Sequence, residues 1–537
     1  MTMSGLLGWS FIALGAFIFR YILKVGSRET GLPPGPPTLP VLGNIHQFPT
    51  KYTHIQFSRW GKQFGGIFSL KIGSGTMVVI SSPRIVKDYL DKRSASTSSR
   101  PHIRMVEMIT DGLGFAMISA LGPVWKSLRR AIQMFLTKEA CRRHLPIERV
   151  EAIQLLYDTL KQPEDLFTHV QRHATSLILS TVFGVRSPRY ENSTVTEFID
   201  VQHRVEAALE PGAHPPIDLM PILQYVPERW ASWKGICRDI RAKQRKLYVG
   251  LRDKCEARMR EDRRNGSFLE TLFDQKDALG LTRDMIGYLG GASLEGGSVT
   301  AVSHLQTFVL CMACHPEVQA RAHMEIDQVV GSNRMPSLED FEHLPYLRAI
   351  VKEVHRFYPV VPMGLPHAST SDEMVDGFFI PKGTTLFMNI YGIYHDEDLF
   401  EDPEVFNPDR YLSSEFGTKP GVDTAGFRHD FHFGCGRRIC PGILLGDTMI
   451  MMNVMNLLWA FNFKAVDMNK RDPHVPIQYT DFTAGLATGP KPYQCDIKPR
   501  SQERADIVRS EFAQARPIFS MFEHELSPEE KDFVAHW

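Results

Sequence analysis

The chain has 537 residues, 43% of them hydrophobic and 23% charged, with Lys+Arg 61 balanced by Asp+Glu 61. This is ordinary globular usage: it excludes a disordered chain, a collagen and a multi-span transporter, and the lack of a basic excess argues against a nucleic-acid partner. Eight cysteines without even spacing do not make a disulfide scaffold and fit free thiols in a reducing compartment.

Residues 5–23 read GLLGWSFIALGAFIFRYIL, interrupted only by Arg20. At about 1.5 Å per residue a helix of this length nearly crosses a hydrocarbon core of roughly 30 Å. No positive stretch precedes the run and no small-residue cleavage site stands out after it, so an anchor is favoured over a cleaved signal peptide. Arg20, Lys24 and Arg28 on the C-terminal side keep that side in the cytosol. The expected layout is a single-pass anchor over 1–24, a proline-rich hinge over 25–44, a catalytic domain over 45–500 and an extension over 501–537, read as a loosely ordered tail. In the hinge, Leu32 to Pro40 carries closely spaced prolines that fix φ and make a stiff spacer.

Residues 65–80 read as two strands around a Gly73-Ser74-Gly75 turn. Apolar residues at helical spacing predict helices over 125–160, 165–185, 231–262, 284–314, 317–330 and 443–460. Pro211 to Pro227 is proline-broken and apolar, either a surface loop or a second shallow membrane contact. Cys311 and Cys314 form a C-x-x-C, but they fall inside a helix of buried character and read as core packing. Val375-Asp376-Gly377-Phe378 is a hairpin signal, since Asp-Gly suits a type I′ turn. Thr384 to Tyr391 reads as a strand.

The most informative stretch is Phe431-His432-Phe433-Gly434-Cys435-Gly436-Arg437-Arg438-Ile439-Cys440-Pro441-Gly442. Three glycines and a proline within nine residues force a tight turn. Two arginines beside a thiol, and a helix beginning directly after it, would favour thiolate. A thiolate is a soft, strong metal ligand. No second Cys or His stands at zinc-ligand spacing, whereas a single axial thiolate on haem iron fits. Cys435 lies in the same loop and reads as a small filler rather than a rival ligand.

The pattern F-x-x-G-x-R-x-C-x-G on Phe433, Gly436, Arg438, Cys440 and Gly442 resembles the haem-binding loop of the cytochrome P-450 family, and three further motifs extend the resemblance over nearly the whole chain. It implies a mainly α fold, a large helical domain with a small β region, on one N-terminal transmembrane helix. It implies haem b held by the Cys440 thiolate. Glu353, Arg356 and Arg410 match a buried structural network behind the haem. Trp125, Arg129, His367 and Arg438 match positions that contact haem propionates. Gly296-Gly297-Ser298-Val299-Thr300 matches the oxygen-activating segment, with Thr300 as the proton-relaying alcohol. The acid position of that segment is Val299, and Glu295 lies too early to replace it simply. Water held by Thr300 and Ser298 is the expected substitute.

The implied reaction inserts one oxygen atom from O2 into a lipophilic small molecule and releases the other as water. Electrons would come from NADPH through an NADPH-cytochrome P-450 reductase, with Arg437 on a basic docking face. Pro366 to Thr370 and the haem loop resemble fungal endoplasmic-reticulum members, which implies secondary metabolism of polyketides, terpenoids or indole alkaloids. The alternatives are an O2-independent thiolate-haem isomerase or dehydratase, and a catalytically silent haem-binding protein.

Overall fold

The computed structural model describes residues 24–118, 122–210, 213–215, 217–218, 220–466 and 478–537. The expected anchor, apart from its last residue, Lys24, lies outside them.

Chain order begins with helix α1 (Thr53–Phe64) and strands β1 (Ile67–Ile72) and β2 (Gly75–Ile80). Then come α2 (Pro123–Phe135), α3 (Lys138–Lys161), α4 (Leu166–Ile178), α5 (Ser193–Leu209), α6 (Ser232–Arg260) and the long α7 (Arg283–Cys314). A helix over Pro316–Val329 follows, then α8 (Pro345–Phe357). Next are strands β3 (His367–Ala368), β4 (Glu373–Val375), β5 (Phe378–Ile380) and β6 (Thr385–Met388). The chain closes with α9 (Ile443–Ala460), β7 (Phe461–Ala465), β8 (Cys495–Pro499), α10 (Gln502–Gln514), α11 (Arg516–Ser520) and α12 (Pro528–His536). Among the described residues helix dominates, with three small sheets.

Local chemistry sets most of these boundaries. The helical pattern over 125–160 divides because the Thr137 side chain accepts from the Ala140 amide and caps a new helix, α3. Thr282 caps α7 in the same way, through the Met285 amide at 3.2 Å. The expected hairpins form. β1 pairs antiparallel with β2, and Asp376 (φ 50°) with Gly377 (φ 82°) makes the turn between β4 and β5. The strand expected over 384–391 is shorter, because the Asn389 side chain accepts from the Gly392 amide and starts a helical turn. β2 runs parallel to β6, and β6 antiparallel to β3, in a sheet ordered β1-β2-β6-β3.

The C-terminal half of α7 runs through the largest apolar cluster. Leu305, Phe308, Val309 and Met312 pack there with Leu347, Ile350 and Val354 of α8 and Val454, Leu457 and Leu458 of α9. Each such side chain contributes about 1.5–3 kcal/mol on burial. Cys311 lies inside this cluster, in agreement with a packing role. A second cluster joins α2, α4 and α6 to the N-terminal half of α7. α7 and α9 are long and apolar enough to cross a membrane, yet most of each is buried inside the fold.

The tail beyond Arg500 is not loosely ordered. It folds into α10, α11 and α12, and Val508, Phe519 and Phe522 are buried. Phe512 stacks on Tyr157 of α3 at 4.0 Å. Arg186 pairs with Glu151 of α3 and with Glu523 of the tail, and the Trp537 indole donates to Asp158. The anchoring partners lie over 300 residues away in sequence, where no local pattern exposes them.

Candidate active site

The loop carrying Cys440 is shaped by glycine. At Gly436, φ is 56° and an added Cβ would stand 2.5 Å from the Leu90 carbonyl oxygen, so both conformation and space demand glycine. The Cys440 amide donates to the Phe433 carbonyl at 2.8 Å, and the Gly442 amide donates to Cys440 Sγ at 3.3 Å, just before α9 begins. Burial pushes the Cys440 thiol up; the Gly442 amide and the Arg129 charge act against it. The expected effect of the two neighbouring arginines is absent because neither faces the sulfur. Arg437 is exposed. Arg438 turns away to donate to the carbonyls of Ser98 (2.9 Å) and Ile118. The other loop cysteine, Cys435, is fully buried, its thiol pushed up to about 12 by burial and set 3.6 Å from His367 Nε2.

Beside the loop, α2 brings Trp125 and Arg129 to one face. The Arg438 guanidinium lies 4.4 Å over the Trp125 ring, whose Nε1–H is buried without a partner. Arg129 donates to the Ile439 carbonyl at 2.9 Å. A third guanidinium joins them, Arg100, bonded to the carbonyls of Leu365 and Pro366. Burial lowers all three: Arg100 to about 10, and Arg438 to about 9 with the Arg100 and Arg129 charges adding to the effect. No carboxylate among the described residues forms an ion pair with any of them. Buried cations without counter-charge are costly, so this cluster is built for an anionic group. A porphyrin with two carboxylates fits it, and the orphaned indole N–H supplies one more donor.

His367 differs from the expected propionate contact. Its Nδ1 sits 2.8 Å from the Thr97 carbonyl and its Nε2 faces the Cys435 thiol, so both nitrogens are engaged inside the protein. Arg100, which the motifs did not flag, stands in the guanidinium cluster instead. Its only sequence signal is an arginine before a proline, too common to single out.

Glu353 and Arg356 on α8 form a bidentate pair at 2.8 and 2.9 Å, and Arg410 Nε adds a bond to Glu353 at 3.1–3.2 Å. Arg356 also donates to the carbonyls of Tyr394 and Pro403, and the Asn407 amide donates to Glu353. The network is closed and buried, so every charge has partners. It ties α8 to the segment that leads into the Cys440 loop.

On α7 the two glycines do different work. A Cβ on Gly297 would lie 2.7 Å from Ile178 Cδ1, so Gly297 lets α4 pack closely. A Cβ on Gly296 would meet nothing within 4 Å, so Gly296 opens a free space on the helix face. The Thr300 hydroxyl, one turn on, donates to the Gly296 carbonyl at 2.8 Å and lies on the same open face. The helix runs unbroken through this segment, and the missing side chain of Gly296 leaves the space. Ser298 is buried about 200° around the helix from Gly296. The structure therefore does not bring Ser298 and Thr300 together.

The family profile described as Cytochrome P-450 matches residues 33–497. A cytochrome P-450 monooxygenase of Armillaria gallica is 45% identical over 511 residues, 95% of this chain and 97% of its own. The cytochrome P-450 monooxygenases macC of Penicillium terrestre and patI of Aspergillus clavatus are 34% and 36% identical; each alignment covers 94% of this chain and 96% of the relative.

Proposed function

The chain belongs to the cytochrome P-450 family, and from that premise we propose that Cys440 holds the iron of its haem while Trp125, Arg129, Arg438 and Arg100 hold the propionates. The protein is a haem-thiolate monooxygenase: it inserts one atom of O2 into its substrate and releases the other as water. The observation that carries the site is the buried, acid-free guanidinium cluster beside a sulfur at the start of α9. Bound there, haem supplies O2 binding and reductive cleavage, and the thiolate's electron donation favours that cleavage.

The chain's own residues do the rest. The Gly442 amide supports the sulfur's negative charge. Glu353, Arg356 and Arg410 keep the loop's footing rigid. Gly296 leaves room on α7, and Thr300 holds a hydroxyl beside that room. Its proton is engaged with the Gly296 carbonyl, so its free lone pairs accept a hydrogen bond from a neighbouring water.

The anchor over 1–24, the hinge over 25–44, the catalytic domain over 45–500 and an appended helical segment over 501–537 make the proposed layout, at the endoplasmic-reticulum membrane with the catalytic domain cytosolic. Exposed Met220, Ile222, Tyr225 and Trp230 support a second membrane contact. Arg437, exposed beside the loop, supports docking of an NADPH-dependent reductase. The kinship with fungal monooxygenases supports a lipophilic secondary metabolite as substrate, of polyketide, terpenoid or indole-alkaloid type.

The test pairs two cysteines. Reduced, carbon-monoxide-treated protein should show the red-shifted Soret band of a thiolate ligand. Cys440→Ser should abolish it and Cys435→Ser should keep it. Expression with a reductase under 18O2 in a host making candidate precursors should place one labelled atom in the product. Loss of the band in the Cys435 variant alone would overturn the assignment.

A further inference from the structure

The carboxylate missing at Val299 leaves a monooxygenase without its usual acid, yet α7 carries a polar stripe that reaches the same face. Asp284, Tyr288, Gly291, Glu295 and Val299 follow at spacings of four, three, four and four, so they share the side of α7 that meets α6. Glu295 is one turn before Val299. The Tyr248 hydroxyl of α6 donates to Glu295 Oε1 at 2.5 Å, and Gln244 approaches the same oxygen at 3.4 Å.

The contact is built in. A Cβ on Gly291 would overlap the Tyr248 ring, so glycine there lets the ring lie against α7 and brings its hydroxyl to Glu295. One polar atom along this seam, Gln244 Oε1, is buried and unpartnered, and Gln244 is only 2% exposed. Such atoms are ordinarily satisfied by ordered water. Outward, the Tyr248 and Tyr288 rings meet edge to face at 5.9 Å. Tyr288 in turn faces Arg245, Arg241 and Asp111, and Arg245 pairs with Asp284 at the surface. A polar seam thus runs from solvent to Glu295 between the two helices.

We propose that Glu295 is the proton-relay residue of this monooxygenase, taking the place of the absent acid and recharged through Tyr248 along the α6–α7 seam. The inference rests on the monooxygenase reading. The Glu295 carboxyl O–H gives its proton to water in the space beside Gly296 and Thr300. Tyr248 passes its hydroxyl proton to the emptied carboxylate while its oxygen takes one from water on the Tyr288 side. Each event moves one proton inward and no electron. Two such protons end in the water formed per turnover, whose electrons come from the redox partner. The facing groups are Gln202 from α5, Gln244 and Tyr248 from α6, and Tyr288 on α7; none is a charged neighbour. Burial accordingly pushes the Glu295 carboxyl up, toward holding a proton.

The experiment uses the full haem-loaded chain with its reductase. In Glu295→Gln, product per reductant consumed should fall about tenfold or more, hydrogen peroxide should rise to match, and the acid limb of the rate profile should move. Tyr248→Phe keeps the ring and should show a smaller loss in the same direction; it also serves if the first variant does not load haem. Adding Val299→Asp to Glu295→Gln should restore coupling. Independently of turnover, infrared difference spectra near neutral pH should show a protonated-carboxyl band that Glu295→Gln removes. Unchanged coupling, a change in substrate KM alone, or persistence of the band would overturn the proposal. Absence of 18O label in every variant, the unsubstituted protein included, would instead remove the monooxygenase premise.

Discussion

The imidazole of His355 on α8 lies flat against that of His432 in the Cys440 loop, ring centroids 3.8 Å apart and planes 13° from parallel. The His304 ring of α7 meets His355 at 4.2 Å, tilted by 31°. Three rings thus join α7, α8 and the loop.

Burial holds these rings neutral and makes stability acid-sensitive. It lowers His355 and His367 from 6.5 to about 3, and His54, His144 and His173 to about 4; His304 and His432 fall well below 6.5. The unfolded chain binds protons at these groups near pH 6.5 and the folded protein only much lower. Their contribution is therefore full above about pH 6.5 and is lost as the pH falls toward the folded values. The holoprotein Tm should drop between pH 7 and pH 5. His355→Phe, which keeps a ring, should cost at most about 1.5 kcal/mol at pH 7 and show a shallower drop. An identical slope in the variant would refute this.

The tail is a structural clamp, and one carboxylate tests it. Glu523 and Arg186 are both buried and paired at 2.5 Å. Glu523→Ala leaves the buried Arg186 guanidinium with Glu151 as its remaining ion pair and should cost about 1–3 kcal/mol in urea unfolding. Glu529, exposed and 4.0 Å from Arg189, is the control: Glu529→Ala should stay within about 0.5 kcal/mol.

Loss of a guanidinium from the cluster should show in haem retention. Arg438→Leu removes a charge-assisted donor worth about 1.5–3 kcal/mol, so haem should pass to an acceptor globin roughly tenfold faster or more. Arg437→Leu, on the exposed neighbour, should leave that rate unchanged while slowing reductase-driven turnover. Equal haem loss from both variants would argue against the assignment.

The two adjacent glycines of α7 should part company when substituted. Gly297→Ala drives a methyl into Ile178 and should destabilise the fold by about 1–3 kcal/mol. Gly296→Ala meets nothing and gains helix propensity, about 1 kcal/mol, so it should be as stable as the parent or more so. Its defect should be in O2 use, read as a lower product yield per reductant. Matching stability losses in the two variants would contradict the division of labour.

Features that act between near neighbours can be read from the chain alone. Helical spacing, the Thr282 cap, the Asp376-Gly377 turn and the spacing of Phe433, Gly436, Arg438, Cys440 and Gly442 all act through neighbours a few residues apart, so the elements and the ligand loop were legible. Glu353 and Arg356, three apart on one helix face, were legible for the same reason. Which distant groups meet is set by packing. It turned Arg438 from the sulfur, set Arg100 beside it, enclosed His367 between Thr97 and Cys435, and clamped the last 37 residues through Arg186. Burial and counter-charge belong to the packed neighbourhood of a group rather than to its place in the chain, and they set both its pKa and its partner.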